Sequence, residues 1–246
     1  MKEPKKNWAL HQAKATWCLR YFGFRKVFSI LNFLDHKHSE PLSKLTNKQI
    51  INNRQIFKTP FLKLFNLKNI DKSWSLFLDR DGVINDEKHL DYIHTWEEFK
   101  FYDGVKEALT IFSGKFGKIF IVTNQRGVAK GITKLEDLEL IHKNMVEEFE
   151  EAGGRIDKVY YSVDFDDESP NRKPNPGMGL QAKNDFPEVD FSKSVMIGNT
   201  LSDMQFGRNL GVAFTIFLPT TRPDIKLPNP LIDFVFNDLQ SVANAL

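Results

Sequence analysis

The chain has 246 residues and a net charge of +2, with 41% hydrophobic and 27% charged residues, 14 Gly and 11 Pro. That balance suits a soluble globular protein and excludes collagen-like, mucin-like and low-complexity classes. No run of about 18 uncharged apolar residues is present, so no membrane span is expected. The single cysteine, Cys18, excludes an intramolecular disulfide; the opening MKEPKKNW lacks the apolar stretch and cleavage site of a signal peptide, and a cytoplasmic location is expected.

The charge is unevenly spread. Residues 1–70 hold 14 Lys and Arg against 3 Asp and Glu, whereas the remaining 176 hold 20 against 29. A basic N-terminal extension (1–70) joined to an acidic body (71–246) is therefore expected. Three readings of the extension stand open. Alternating Lys and Phe, as in KTPFLKLFNLK, suit an anionic surface. The spacing of Trp17, Arg20, Tyr21, Phe24, Phe28 and Leu31 suits a small amphipathic helix. The plainest reading is a poorly structured extension or an overlong start, because Lys, Asn, Ile, Leu and Phe dominate it and are encoded largely by A/T-rich codons.

From Ser73 onward, strands alternate with helices. The short apolar runs WSLFLD (74–79), KIFIVT (118–123), KVYYS (158–162), SVMIG (194–198) and AFTIFL (213–218) predict five strands. A helix is predicted over Asp103–Phe112, N-capped by Asp103. Another is predicted over Thr133–Glu151, with Leu135, Leu138, Ile141, Met145 and Phe149 on one face and a Thr133–Glu136 capping box. Apolar strands separated by helices imply a doubly wound parallel α/β sheet, whose ligands bind at the carboxyl ends of the strands. Trp74, Trp96 and Tyr160 are expected in the core, and His89 and His94 at the surface or against substrate.

The residues that end the strands point to phosphate chemistry. Asp79-Arg80-Asp81-Gly82 brings two carboxylates to a turn, able to converge on a hard cation such as Mg²⁺ and to serve as nucleophile and proton carrier. Thr123, followed by Asn124 and Gln125, offers a hydroxyl and backbone N–H groups for phosphoryl oxygens. Arg172-Lys173-Pro174-Asn175-Pro176-Gly177 sets two cations before a helix. Asn199-Thr200-Leu201-Ser202-Asp203 adds polar oxygens, with a helix N-cap by Ser202 as the plainer reading of that loop.

In this order the four loops closely resemble the motifs of the haloacid dehalogenase (HAD) superfamily. FLDRDGVIN, DYIHTWEEFKFYDGV, TNQRGVAKG and RKPNPGM are similar to the subfamily IIIA branch of D,D-heptose 1,7-bisphosphate and histidinol-phosphate phosphatases, over about residues 74–240. The resemblance implies a HAD-like Rossmannoid fold. It implies Asp79 as a nucleophile that forms an aspartyl-phosphate, Asp81 as general acid and then base, and Thr123 and Lys173 as phosphoryl stabilisers. Arg172, with Asn124, Gln125 and Tyr92, would contact substrate; Asp79, Asp81, Asn199 and Asp203 would form the Mg²⁺ site. Only about 40 residues separate Asp81 from Thr123 and about 50 separate Thr123 from Lys173, so a capless, open site is expected. Its specificity would come from residues 85–92 and 163–173.

Two departures stand out. Many relatives bind zinc through Cys and His before the RKP motif, but here residues 163–171 read VDFDDESPN, so no zinc is expected and this loop must be held otherwise. Its acidic run reads as a solvated turn, with selection of a cationic substrate group as the alternative. Asn199 stands where the family usually has a metal-binding aspartate. The expected substrate is a small phosphorylated sugar, named as D-glycero-D-manno-heptose 1,7-bisphosphate losing its 7-phosphate. Histidinol phosphate or another small phosphate ester, and a weakly active or regulatory phosphosugar-binding homologue, are the alternatives. A monomer whose core binds no nucleic acid is expected.

Overall fold

The computed structural model describes residues 67–88 and 91–246; the readings of residues 1–66, the amphipathic helix among them, and that of His89 lie outside them. In chain order the elements are β1 (Ser75–Leu78), α1 (Val105–Lys115), β2 (Lys118–Asn124), α2 (Arg126–Ala129), α3 (Leu135–Glu151), β3 (Lys158–Ser162), α4 (Gly177–Asp185), β4 (Ser194–Gly198), α5 (Leu201–Leu210), β5 (Phe214–Phe217), β6 (Phe234–Val235) and α6 (Leu239–Ala243). Every strand pair is parallel, in the order β3-β2-β1-β4-β5-β6. β6 is a two-residue edge strand inside LIDFVF (231–236), a sixth strand beyond the five predicted.

Strand alternation sends side chains to opposite faces. Leu76 and Leu78 of β1 enter a core with Leu109 and Phe112 of α1, Ile141 and Met145 of α3 and Val242 of α6. Phe77, between them, enters a second core with Met178 of α4 and Phe206 of α5. The sheet is therefore a central layer with helices on both faces, the doubly wound α/β arrangement that the sequence predicts. Tyr160 is in the second core; Trp74 and Trp96 are partly buried against the first.

Two predicted caps do not form. Helix α1 starts one residue after Gly104, which lies at φ +76 and receives no side-chain cap. That left-handed residue turns the chain after Asp103, so the helix begins beyond the aspartate's reach. Helix α3 is preceded by Lys134, again without a side-chain cap. Thr133 hydrogen-bonds instead to the His94 ring across 39 residues of sequence, at 3.3 Å, a tertiary partner that the local pattern did not show. Leu135, assigned to the buried face, is 42% exposed.

Among the described residues no domain is inserted between β1 and β2. That interval holds a loop with one 3₁₀ turn (Trp96–Glu98) and α1, which leaves the carboxyl ends of β1, β2 and β4 open on one side.

Candidate active site

β1 lies between β2 and β4, and residues at the carboxyl ends of these strands, with the loop after β3, line one cavity of about 470 Å³ with Asp79, Asp81, Thr123, Asn124, Gln125, Tyr92, Arg172, Lys173, Asn199 and Asp203 in its wall. The sheet thus gathers motifs far apart in sequence at the strand carboxyl ends, where ligands of such sheets bind.

At its centre is an ion triad. Lys173, almost fully buried, places Nζ 2.8 Å from Asp79 Oδ1 and 2.6 Å from Asp203 Oδ1. Burial alone would lower the lysine, but the two carboxylates more than offset it and hold the ammonium above its ordinary value. Burial, with Asp203 next to it, pushes the Asp79 carboxyl up to about 7 against the pull of Lys173. Asp79 Oδ1 also accepts the Arg80 backbone N–H at 2.8 Å. Its Oδ2 has no hydrogen-bond partner among the described residues and is the atom left for chemistry.

Asp81 is held differently. Burial pushes it up, yet Arg80, Asn85 and Gln125 outweigh that and keep it below the usual carboxylate range. Arg80 donates to both its oxygens at 2.9 Å, Asn85 donates at 3.0 Å and Gln125 at 2.8 Å. Arg80 itself is 1% exposed, contacts His142 Nε2 at 3.0 Å and faces the Phe99 ring. Sequence reasoning missed Arg80, Asn85 and His142. Their roles rest on partners that the one-dimensional pattern does not show, the Arg80–His142 pair being 62 residues apart.

His142 carries a pH prediction. Burial, and then the Arg80 cation, lower it from 6.5 to about 3, so it accepts from Arg80 as a neutral ring. The unfolded chain binds a proton here below pH 6.5 while the folded one does not, so this residue's contribution is intact above 6.5 and is lost as pH falls. At about 1.4 kcal/mol per pH unit, roughly 2 kcal/mol is lost by pH 5. Urea midpoints at pH 7 and pH 5 are expected to differ less in His142→Gln than in the parent; an equal difference would contradict this assignment.

Several predicted substrate contacts are spent within the protein. Asn124 clamps the Lys173 backbone, accepting its N–H at 3.0 Å and donating to its carbonyl at 3.1 Å. Gln125 donates to Asp81 and Thr123 and accepts from Arg80 at 3.2 Å. Both therefore position catalytic candidates, a correction to their reading as substrate contacts. Asp203 is tied into the fold as well: its Oδ2 accepts from the backbone N–H groups of Asn199 and Thr200 and from the Thr200 hydroxyl, while Oδ1 faces Lys173. It completes a capping box for α5 with Thr200 as N-cap, so Ser202 is not the cap, and of the two Asp203 oxygens it is Oδ1, against Lys173, that faces the site.

The loop over 163–171 is the largely exposed turn that its acidic run suggests, and those acids also hold it in shape. Asp164 bonds Ser162 and Ser169, Asp166 caps the Glu168 N–H, and Asp167 bridges the guanidiniums of Arg126 and Arg172. Buried Nη1 of Arg172 and Nε of Arg126 remain without partners. His94 is partly buried between Asp91 and Thr133.

Among the described residues no group of three or more His, Cys, Asp or Glu side chains gathers as a metal-holding cluster. A hard divalent cation needs oxygen donors of any kind, and here the Asp79 carboxylate shares the cavity wall with Asn199, whose Oδ1 atom is buried without a partner. One lysine against Asp79 and Asp203 also leaves net negative charge beside them. The donor set fits Mg²⁺ chemistry.

Residues 76–219 match the family described as Polynucleotide kinase 3 phosphatase. A relative from Campylobacter jejuni, D-glycero-alpha-D-manno-heptose-1,7-bisphosphate 7-phosphatase, is 40% identical over 147 residues, 60% of this chain and 83% of that one. The chain belongs to the heptose bisphosphate phosphatase family of the HAD superfamily. Within this family, D-glycero-beta-D-manno-heptose-1,7-bisphosphate 7-phosphatase of Vibrio cholerae is 32% identical, over 70% of this chain and 95% of that one. The crystal structure of D,D-heptose 1,7-bisphosphate phosphatase from B. bronchiseptica, complexed with magnesium and phosphate, superposes with a TM-score of 0.62 at 26% identity, over 70% of this chain and 96% of that chain. Like these relatives, the protein is a phosphatase of HAD-like fold. No helix among the described residues is long and apolar enough to cross a membrane.

Proposed function

We propose that residues 71–246 form a Mg²⁺-dependent phosphomonoester hydrolase that removes the 7-phosphate of D-glycero-D-manno-heptose 1,7-bisphosphate through an aspartyl-phosphate on Asp79, acting in the cytoplasm. The observation that carries it is the free Asp79 oxygen beside the buried Lys173 ammonium, in a cavity sized for a small ligand. The names of the relatives support the sugar bisphosphate.

In this reading Asp79 Oδ2 attacks phosphorus, forming the P–O bond as the bond to the leaving alkoxide breaks. Lys173 and the Thr123 hydroxyl hold the equatorial oxygens, where phosphoryl transfer develops charge. Thr123 accepts from Gln125 at 2.8 Å, so its own hydrogen is free for that bond. Asp81 is ionised in the free site; an arriving phosphate dianion raises its pKa by like-charge repulsion, which favours the protonated form that gives its proton to the alkoxide. As a carboxylate again, Asp81 takes a proton from the water that hydrolyses the acyl phosphate. Arg80, Asn85 and Gln125 hold it in place for both transfers. Asp79, Asn199 and the Asp81 backbone carbonyl would hold Mg²⁺, which supplies charge neutralisation when bound. Arg172, in the cavity wall with an N–H group still unspent, suits the second phosphate.

Phosphate release from both anomers of the heptose bisphosphate and from histidinol phosphate, with and without Mg²⁺, tests this. Metal-dependent turnover of the bisphosphate is expected, with kcat/KM roughly 100-fold above that for histidinol phosphate, because a site built for a second phosphate leaves buried donors unpaired with a substrate that lacks it. Preference for histidinol phosphate, or binding without turnover of any of them, would contradict the proposal.

A further inference from the structure

We propose that Glu87 and Thr221 are positioning residues that fix the orientation of the Asn199 side-chain amide, so that its carbonyl oxygen is the edge left for the metal ion. This inference rests on the Mg²⁺ reading above.

An asparagine amide is nearly symmetric in shape, and its neighbours alone decide which end is nitrogen. Asn199 is 1% exposed. Its Nδ2 lies 3.2 Å from Glu87 Oε2 and 2.7 Å from Thr221 Oγ1, so both amide hydrogens are spent. The nitrogen edge also backs onto Gly82: a Cβ built there would sit 2.0 Å from Nδ2 and 3.2 Å from Thr221 Cγ2. Gly82, at φ +78, keeps that approach open. The opposite atom, Oδ1, is buried and has no partner, an unfavourable state that a ligand at that edge relieves.

The two partners of the nitrogen differ in what they enforce. The Thr221 hydroxyl both donates and accepts, so it tolerates either amide orientation. A carboxylate only accepts, so Glu87 stabilises the observed orientation and repels the flipped one, which would set the amide carbonyl against it. Glu87 is held in turn by Arg222 Nη2 at 3.3 Å on its other oxygen. Glu87 precedes α1 and Thr221 follows β5, so the orienting contacts come from two loops well away from Asn199 in sequence.

This arrangement makes residues 87 and 199 a matched pair. Asparagine beside Glu87 is a donor meeting an acceptor; aspartate at 199 would be a second carboxylate about 3 Å away. A simple charge argument has Asn199→Asp binding Mg²⁺ more tightly in any background. Orientation by Glu87 has the benefit of that substitution appearing only when residue 87 is able to donate.

The test is Mg²⁺ binding to the full chain by isothermal titration, without substrate, for the parent, Glu87→Gln, Thr221→Val, Asn199→Asp and the Glu87→Gln/Asn199→Asp double variant, with thermal midpoints in EDTA as the folding control. Glu87→Gln is expected to weaken Mg²⁺ binding by about tenfold. Asn199→Asp alone is expected to give no tightening, and the double variant to bind more tightly than either single one. Thr221→Val, which leaves Glu87 in place, is expected to weaken binding by less than Glu87→Gln. Unchanged affinity in Glu87→Gln, or tightening by Asn199→Asp alone, would overturn the positioning role while leaving the Mg²⁺ reading intact. A parent that binds no Mg²⁺ would overturn both.

Discussion

Replacing Asp79 with asparagine is expected to remove turnover, lowering kcat by about 10⁴-fold or more, because the attacking atom is lost while the rest of the site survives. The substitution is isosteric. The amide oxygen still accepts from the Arg80 N–H and from Lys173, and substrate is expected to bind. Stability moves the other way. The folded protein raises Asp79 to about 7, first through burial and then through Asp203, whereas an unfolded aspartate titrates near 3.8. The folded state therefore holds a proton that the unfolded state has lost between these values. The contribution is present below about 4 and is lost as pH rises through 7. At pH 8 Asp79→Asn removes that penalty, so its thermal midpoint is expected to equal or exceed the parent's, the difference narrowing toward pH 4. Lost activity with a raised midpoint marks a strained functional carboxylate; lost activity with a collapsed midpoint would mean that Asp79 is chiefly structural.

Lys173→Met is the complementary case, with loss expected in both activity and stability. The lysine stands between two carboxylates, its side chain 2% exposed and that of Asp203 1%. Removing one partner of a buried ion pair costs about 3–5 kcal/mol, because the remaining charge is left uncompensated. Domains are stabilised by roughly 5–15 kcal/mol in total, so this variant is expected to be marginal at neutral pH. Protonation of Asp79, already raised with the lysine present, relieves the repulsion. The deficit is therefore expected to shrink as pH falls, opposite in sign to the His142 contribution. Urea titrations at pH 8 and pH 5.5 check this. Turnover is expected to fall by about 10²–10³-fold even under folded conditions, the usual effect of deleting one group that stabilises transition-state charge. A variant as stable as the parent at pH 8 would contradict the compensating role given to Lys173.

Most of the fold was legible because five strands are continuous apolar runs bounded by turn residues, and because Leu138, Ile141, Met145 and Phe149 repeat at helical spacing and are all fully buried. What was not legible depended on partners far along the chain. Thr133 and Glu136 have the spacing of a capping box, but the Thr133 hydroxyl meets His94 instead. Asn124 and Gln125 looked like phosphate contacts because they follow Thr123; the packed structure gives them to the Lys173 backbone and to Asp81. Asp203 has the spacing of a metal ligand and is used as a cap and a counter-ion. Four loops of the site could be named from motif order, whereas Arg80, Glu87, His142 and Thr221 could not. Each of these acts through contacts with residues brought together only by the sheet and its connections.

In the proposed mechanism the phosphoryl group passes through Asp79. The most direct test is to quench the protein in acid during turnover of the heptose bisphosphate with Mg²⁺, digest it, and weigh the peptide containing residues 75–88. A transient increase of one phosphoryl mass on that peptide is expected, localised to Asp79, released by hydroxylamine and absent in Asp79→Asn. Full turnover with no phosphoryl group on this peptide at any quench time, or one on another residue, would contradict it.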